Sequence, residues 1–331
     1  MPSTAKLPFG ILSVAIRDFR GIADLTLPWS NALGHPNEVF VLAGPNGSGK
    51  TTVLEACLLA LGQRDVLHGP WGKKAIRPGA QNYSIAVQIQ TLEGKYRGSI
   101  TAKGEAEWAN EDTSMKSTSP VLPPVWYFSS WRAPKLTGAL AITAGKKGKR
   151  PKDSEVNRFW RAKQYLVNAK AHAFMNGVSA PSIYDEAIGK LNKIWRNFYP
   201  SSDQSFSVEA IGHDPEEGFD VYLRGKGQER ISVEYLSSGQ LEIFTFFAAI
   251  IEAKQQPKLV VIDEPELHLD PAWHTLFVRS MREAFLETQM ILATHSPEIY
   301  DSVYSFQRRL LLPENDPRLK AWQKERQGAM P

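Results

Sequence analysis

The sequence predicts an α/β fold built on buried parallel strands, and three stretches carry that prediction. Residues 39–43, Val-Phe-Val-Leu-Ala, form a continuous apolar run, the mark of a strand covered on both faces. A glycine-rich turn and a helical pattern over residues 50–61 follow it. Residues 258–263 repeat the arrangement, with a helix expected over 271–286, and residues 290–294 repeat it again, with Pro297 placed to start a helix. Strands that alternate with helices predict a parallel sheet.

The remaining elements follow in order. Residues 11–19 alternate through Leu12, Val14 and Ile16 and read as a strand, with a second short strand over 22–27. Pro28, Asn31, Gly34 and Pro36 mark a loop. Residues 84–90 and 95–103 read as antiparallel strands, 104–120 as a polar loop, and 125–128 as a strand. Residues 135–152 hold three glycines and many lysines and read as a flexible loop. Asp153 can cap a helix running to about residue 175, and a second helix covers about 182–198. A strand pair is expected at 205–209 and 219–223, a helix at 241–253, and a polar tail from Pro313. There is no internal repeat and no heptad run long enough for a coiled coil.

Composition narrows the class. The 331 residues allow one large domain or two modest ones. At 42% apolar and 22% charged, the chain can bury a sizeable core. A single cysteine, Cys57, excludes an intrachain disulfide and suits a reducing compartment. Residues 1–9 lack a basic segment followed by an apolar run, and no stretch approaches about 18 apolar residues, so neither a signal peptide nor a spanning helix is expected. The expected location is the cytoplasm, without membrane contact. The net charge of +4 hides an asymmetry: residues 131–170 carry eleven basic and two acidic side chains, +9, leaving −5 for the rest.

Four segments carry chemistry. Gly44-Pro45-Asn46-Gly47-Ser48-Gly49-Lys50-Thr51, followed by Thr52, matches the phosphate-binding pattern GxxxxGK[ST] between a buried strand and a helix. Glycines let backbone N–H groups surround phosphates, and the helix N-terminus adds partial positive charge. Lys50 suits the β- and γ-phosphates, and Thr51 suits Mg²⁺. Without a ligand the same residues would be only a glycine-rich turn. In the second segment, Asp263 and Glu264 emerge at the C-terminal end of an apolar strand, where ligands of parallel sheets bind. Asp263 would hold Mg²⁺ and Glu264 would polarise a water; the plainer reading is a solvated acidic turn. Third, Leu236-Ser237-Ser238-Gly239-Gln240 precedes an apolar helix and alone reads as an N-cap. Fourth, residues 291–297 place His295 one strand after the Asp-Glu pair, where it could sense a γ-phosphate, although a lone His is more often structural.

These segments, in this order, resemble the ABC-class P-loop ATPases, most closely the non-transporter branch of RecF, SMC and OLD proteins. Residues 16–20, Ile-Arg-Asp-Phe-Arg, are similar to that branch's first strand. Leu236–Gln240 resembles the signature LSGGQ with Ser238 in place of the first glycine. Residues 263–271 resemble the Walker B strand end plus the D-loop, including Asp270, and His295 resembles the switch histidine. The resemblance implies a mixed sheet around a central P-loop helix, a small helical subdomain and no long coiled coil. It also implies ATP and Mg²⁺ as ligands, and a head-to-tail homodimer in which Ser237, Ser238, Gly239, Gln240 and Asp270 of one copy meet the nucleotide of the other. Glu264, His295 and Lys50 would carry catalysis. No Q-loop glutamine is visible; Ser129 to Arg132 occupies roughly that place.

The expected organisation is one ATPase domain over residues 1–331, with 1–130 and 205–331 as nucleotide core and 131–204 as a basic helical insert. In that insert Trp131, Phe159, Trp160, Tyr165, Trp195 and Phe198 interleave with basic residues. Nucleic-acid binding through Lys146, Lys147, Lys149, Arg150 and Lys152 is one reading. Amphipathic helices with core-facing aromatics beside a solvated loop is another, and docking to an acidic protein a third. Only 34 residues follow Pro297, too few for a nuclease domain, so a nuclease or toxin effector is expected on another polypeptide. The leading function is an ATP-gated switch in DNA repair or anti-phage defence. The alternatives are a transporter's ATPase subunit or a non-catalytic clamp, and nothing in the sequence separates ATP from GTP.

Overall fold

A computed structural model describes residues 7–104, 106–112, 119–130, 138, 140, 158–175, 182–212, 218–225, 227, 230–252 and 256–312. In chain order its elements are β1 (Phe9–Phe19), β2 (Ile22–Pro28), β3 (Val39–Ala43), α1 (Lys50–Ala60), β4 (Ser84–Thr91), β5 (Lys95–Thr101), β6 (Glu107–Asn110) and β7 (Val125–Phe128). Then come α2 (Arg158–Met175), α3 (Ile183–Phe198), β8 (Ser205–Ala210), β9 (Phe219–Arg224), β10 (Ile231–Ser232) and α4 (Ser238–Glu252). The last are β11 (Leu259–Asp263), α5 (Pro271–Ala284), β12 (Gln289–Thr294), α6 (Pro297–Asp301) and β13 (Arg308–Leu310). They form two compact units. The first comprises the described residues of Met1–Ser130, Pro257–Pro265 and Glu287–Pro331, and the second those of Trp131–Gln256 and Glu266–Leu286.

The first unit holds two sheets. One is parallel, in the order β13-β3-β12-β11-β7, and the other antiparallel, in the order β2-β1-β4-β5-β6. Parallel and antiparallel ladders thus coexist, divided between two sheets. Every residue of β3, β11 and β12 is buried, which explains the apolar runs at their centres. Helix α1 packs against strands of both sheets and buries nine of its eleven residues, so it shows no polar stripe. Its Cys57 thiol, fully enclosed, is pushed far above the ordinary range by burial. Its Glu55 carboxylate, also buried, accepts from the backbone N–H groups of His68 and Gly69 and pairs with Arg20 at 2.5 Å.

A polar contact joins the two sheets. The register between β1 and β4 shifts between Ile11 and Ser13, skipping Leu12, and the pairing of β1 with β2 stops at Ser13, so on that side no strand pairs with Ile11. Gln289, fully buried on β12, meets it: its Oε1 accepts from Ile11 N at 2.7 Å, and its Nε2 donates to Ile11 O and Asn37 O, each at 3.0 Å.

The second unit packs α2, α3 and α4 on one another, α5 on α3, and the antiparallel sheet β10-β9-β8 against α2 and α3. Its core is aromatic. Trp195 meets Phe206 edge-on at 4.9 Å between ring centroids, and Phe206 meets Phe244 at 5.3 Å.

Several elements differ from expectation, among them β10, a two-residue strand ordered by pairing with β9. Strand β6 lies within the stretch read as a polar loop; it is a four-residue edge strand, too short to show alternation, and its Trp108 covers Gly98. The three residues of β13 carry no strand signal of their own and are ordered by pairing with β3. Helix α4 begins at Ser238, three residues early, so the signature segment enters its first turn. The longest helix among the described residues is the 18-residue α2, far short of a coiled-coil arm. The residues of the expected helix before Arg158 lie outside the described residues.

Candidate functional site

The parallel sheet gathers the motifs. In the order β3-β12-β11-β7, adjacent strands end at the phosphate-loop sequence, at His295, at Asp263-Glu264 and at Ser129-Ser130. The loop backbone needs its glycines. Gly47 (φ 78°) and Gly49 (φ 92°) sit in the left-handed region, and a Cβ on Gly44 would lie 2.2 Å from the Leu311 carbonyl oxygen. Leu311 is in turn held by its N–H on Ala43 O at 2.7 Å.

Within this loop Lys50 is buried. Its Nζ donates to Gly44 O at 2.9 Å and Pro45 O at 3.1 Å, and lies 3.3 Å from both ring nitrogens of His295. Thr51 Oγ1 donates to Asp263 Oδ2 at 2.7 Å, and Ser130 Oγ approaches the same oxygen at 3.4 Å. Glu264 is a non-glycine residue at φ 53°, a costly backbone held by its N–H on Ala293 O at 2.7 Å. Its Oε1 stands 3.2 Å from His295 Nε2, with both side chains about a third exposed. A cavity of about 500 Å³ opens here, lined by residues 46–52, Glu264, His295, Gly21 and the start of β2 through Leu25, and Leu311-Leu312. Lys50, Thr51, Asp263, Glu264 and His295 are therefore one constellation, with Gly44 and Pro45 as acceptors for Lys50 and Asn46, Gly47, Ser48, Gly49 and Thr52 on the wall.

Sequence reasoning had not singled out Ser130 as a partner of Asp263, nor β2 and Leu311-Leu312 as walls. Ser130 was within the stretch expected to replace a Q-loop, but a serine has no motif there. The β2 and Leu311 contributions depend on strand pairing. Arg132, the candidate that the sequence offered in that stretch, lies outside the described residues.

Asp263, Thr51 and Ser130 offer carboxylate and hydroxyl oxygens close together. That donor set fits Mg²⁺, which takes one or two carboxylates and keeps places for phosphate and water.

The signature residues are held together in the second unit. Ser237 and Gln240 cap α4 reciprocally: Ser237 N donates to Gln240 Oε1 at 3.0 Å, and Gln240 N to Ser237 Oγ at 3.4 Å. The N-cap reading of this segment is thus correct as local structure. Ser237 and Ser238 are exposed, and Gly239 is buried, where a Cβ would come 2.6 Å from the His268 carbonyl oxygen. Asp270 caps α5 by accepting from Ala272 N at 2.9 Å.

The basic stretch is partly used internally. Arg161 pairs with Glu252 at 3.1 Å, Lys163 is fully buried, and Lys170 lies 4.5 Å from the Tyr184 ring centre. Phe159, Trp195 and Phe198 are buried and Trp160 and Tyr165 half-buried, as the amphipathic-helix reading expects. Trp131 and the cluster Lys146, Lys147, Lys149, Arg150 and Lys152 lie outside the described residues. No helix among the described residues is long and apolar enough to cross a membrane.

Comparison with known proteins gives the family of the chain. The family described as "AAA domain, putative AbiEii toxin, Type IV TA system" matches residues 39–301, from β3 through α6. The chain belongs to this AAA-domain family. Two curated relatives of the AAA protein are the retron Vc95 probable ATPase of Vibrio cholerae serotype O1 biovar El Tor, 40% identical over 62 residues, and the retron Ec83 probable ATPase of Escherichia coli, 28% identical over 107 residues. These matches cover 19% and 29% of this chain and span 12% and 19% of the relatives. Among solved structures, an SMC head bound to the C-terminal winged-helix domain of ScpA aligns over 89% of this chain and 92% of that one, at 15% identity and a TM-score of 0.53. At that identity the likeness is one of fold. The family assignment is thus to an AAA domain, and the expected likeness to SMC heads holds at the level of fold.

Proposed function

We propose that this AAA-domain protein hydrolyses ATP in a two-copy assembly and signals its nucleotide state to a separate effector in defence against foreign DNA. One observation carries the reading: the phosphate loop, the Thr51–Asp263 pair and the Glu264–His295 pair lie at adjacent strand ends around one cavity. That arrangement suits binding a triphosphate and activating a water beside it.

In this reading the N–H groups of residues 46–51 cradle the phosphates, and Lys50 exchanges the Gly44 and Pro45 carbonyls for phosphate oxygens. Ile22, Leu25 and Leu311 present an apolar wall to the nucleoside. Thr51, Asp263 and Ser130 would hold Mg²⁺, which would neutralise phosphate charge. Glu264 accepts a proton from the attacking water, and His295, hydrogen-bonded to it, orients that carboxylate. Ser238 and Gly239, at the start of α4, would approach the γ-phosphate of a second copy's nucleotide with their backbone N–H groups, and Asp270 would line that junction. A site completed only on closure concentrates stabilisation in the transition state, which raises turnover rather than affinity. The retron relatives and the toxin–antitoxin wording of the family support defence as the setting and a separate polypeptide as the effector.

The test is the solution mass of Glu264→Gln with and without Mg·ATP. Conversion from monomer to dimer supports closure by ATP. A dimer at both conditions assigns ATP to a rearrangement inside a standing pair. A monomer that binds ATP and stays monomeric sinks the two-copy reading.

A further inference from the structure

The second unit contains a fully buried lysine that the proposed chemistry does not use. Lys163, on α2, is 0% exposed. Its ammonium has three protons to donate, and three oxygens meet it: Gly138 O at 2.7 Å, Asp220 Oδ1 at 2.7 Å and Glu234 Oε1 at 2.5 Å. Asp220 Oδ2 accepts from Ser232 Oγ at 2.6 Å, and Ser232 Oγ accepts from Glu234 N at 3.3 Å. The network closes on itself and joins α2, β9 and the short 3-10 turn Val233–Tyr235.

That turn leads directly into Leu236–Gln240. Its apolar anchoring is slight, since Val233 is its only buried residue and Tyr235 is 84% exposed. Buried ion pairs are a poor source of net stability, and apolar replacements often do as well. Their directional bonds fix position instead. Backbone N–H groups that must meet a phosphate need such fixing, because a misplacement near 1 Å costs about a hundredfold in rate.

We infer that Lys163, with Asp220 and Glu234, is a positioning residue that sets the signature turn, so that the orientation of Ser238 and Gly239 depends on where α2 lies. This rests on the two-copy reading, in which those residues act on a second copy's nucleotide.

The test compares ATP hydrolysis by the full-length protein with that of a charge-neutral variant, Lys163→Met with Asp220→Asn and Glu234→Gln, which leaves no buried charge alone. The expected result is a kcat lowered at least roughly tenfold with KM within about twofold, while binding of a fluorescent ATP analogue and the melting temperature stay near the parent's. An unchanged kcat overturns the inference and leaves the two-copy reading standing. A parent whose Glu264→Gln form stays monomeric with ATP bound overturns that reading, and this inference falls with it. If the triple variant melts too low to assay, Glu234→Gln alone, which keeps Lys163 on Asp220 and Gly138, is expected to lower kcat in the same way. An unchanged kcat there counts equally against the role.

Discussion

Glu264 combines a left-handed backbone with a hydrogen bond to His295, and both follow from its place one residue beyond β11. Its N–H extends the bonding toward β12 through Ala293 O, and the chain then turns away. Strain kept at the mouth of a cavity is consistent with a residue whose carboxylate has work there. Glu264→Gln keeps the shape and removes the proton acceptor. Phosphate release should fall about 10²- to 10⁴-fold while nucleotide binding by titration stays within about twofold. Turnover near the parent rate would remove Glu264 from the role of base.

At the scale of elements, two close contacts decide what the sequence must be. The start of α4 packs so tightly on the loop before α5 that Gly239 has room for no Cβ, the nearest obstacle being the His268 carbonyl oxygen at 2.6 Å. Backbone cannot swing aside as a side chain can. Gly239→Ala should therefore displace the signature turn and lower hydrolysis at least roughly tenfold, with nucleotide affinity at the phosphate loop little changed. Equal rates would show that this turn tolerates displacement. The Gln289 clip makes the opposite kind of demand, a polar side chain in an apolar layer. Gln289→Leu would leave three buried backbone groups without their partner, costing roughly 3 kcal/mol of stability in denaturant unfolding. A loss below about 1 kcal/mol would mean that water or a backbone shift replaces it.

Across the whole molecule, the phosphate loop lies in one compact unit and the signature segment in the other. If the signature serves a second copy, activity per subunit should rise with protein concentration until dimers saturate. Steady-state assays over a hundredfold dilution, on the order of the range needed to cross a micromolar equilibrium, should show that rise. A flat profile with a monomeric mass would assign the signature a role within its own chain.

Much of the fold was legible because its strong elements advertise themselves. The runs at Val39–Ala43 and Leu259–Asp263 are apolar on both faces, and the glycines at 47 and 49 announce the turn that their positive φ requires. The residues that line the cavity beside these strands then follow from chain order, since they lie at or just beyond the strand ends. Other features depend on partners far away in sequence. The strand β13 exists because β3 offers it an edge, and Leu311 closes on Gly44 for the same reason. Lys163 is, to the sequence, one of eleven basic residues between 131 and 170, because a buried lysine and an exposed one have the same local sequence. Only the three oxygens gathered around it, from positions 138, 220 and 234, show that it lies inside. Local periodicity and turn chemistry let the sequence determine the strands, the phosphate loop and the order of the motifs. The tertiary structure alone decided which groups meet, because hydrogen bonds and ion pairs between distant residues leave no periodic trace in the chain.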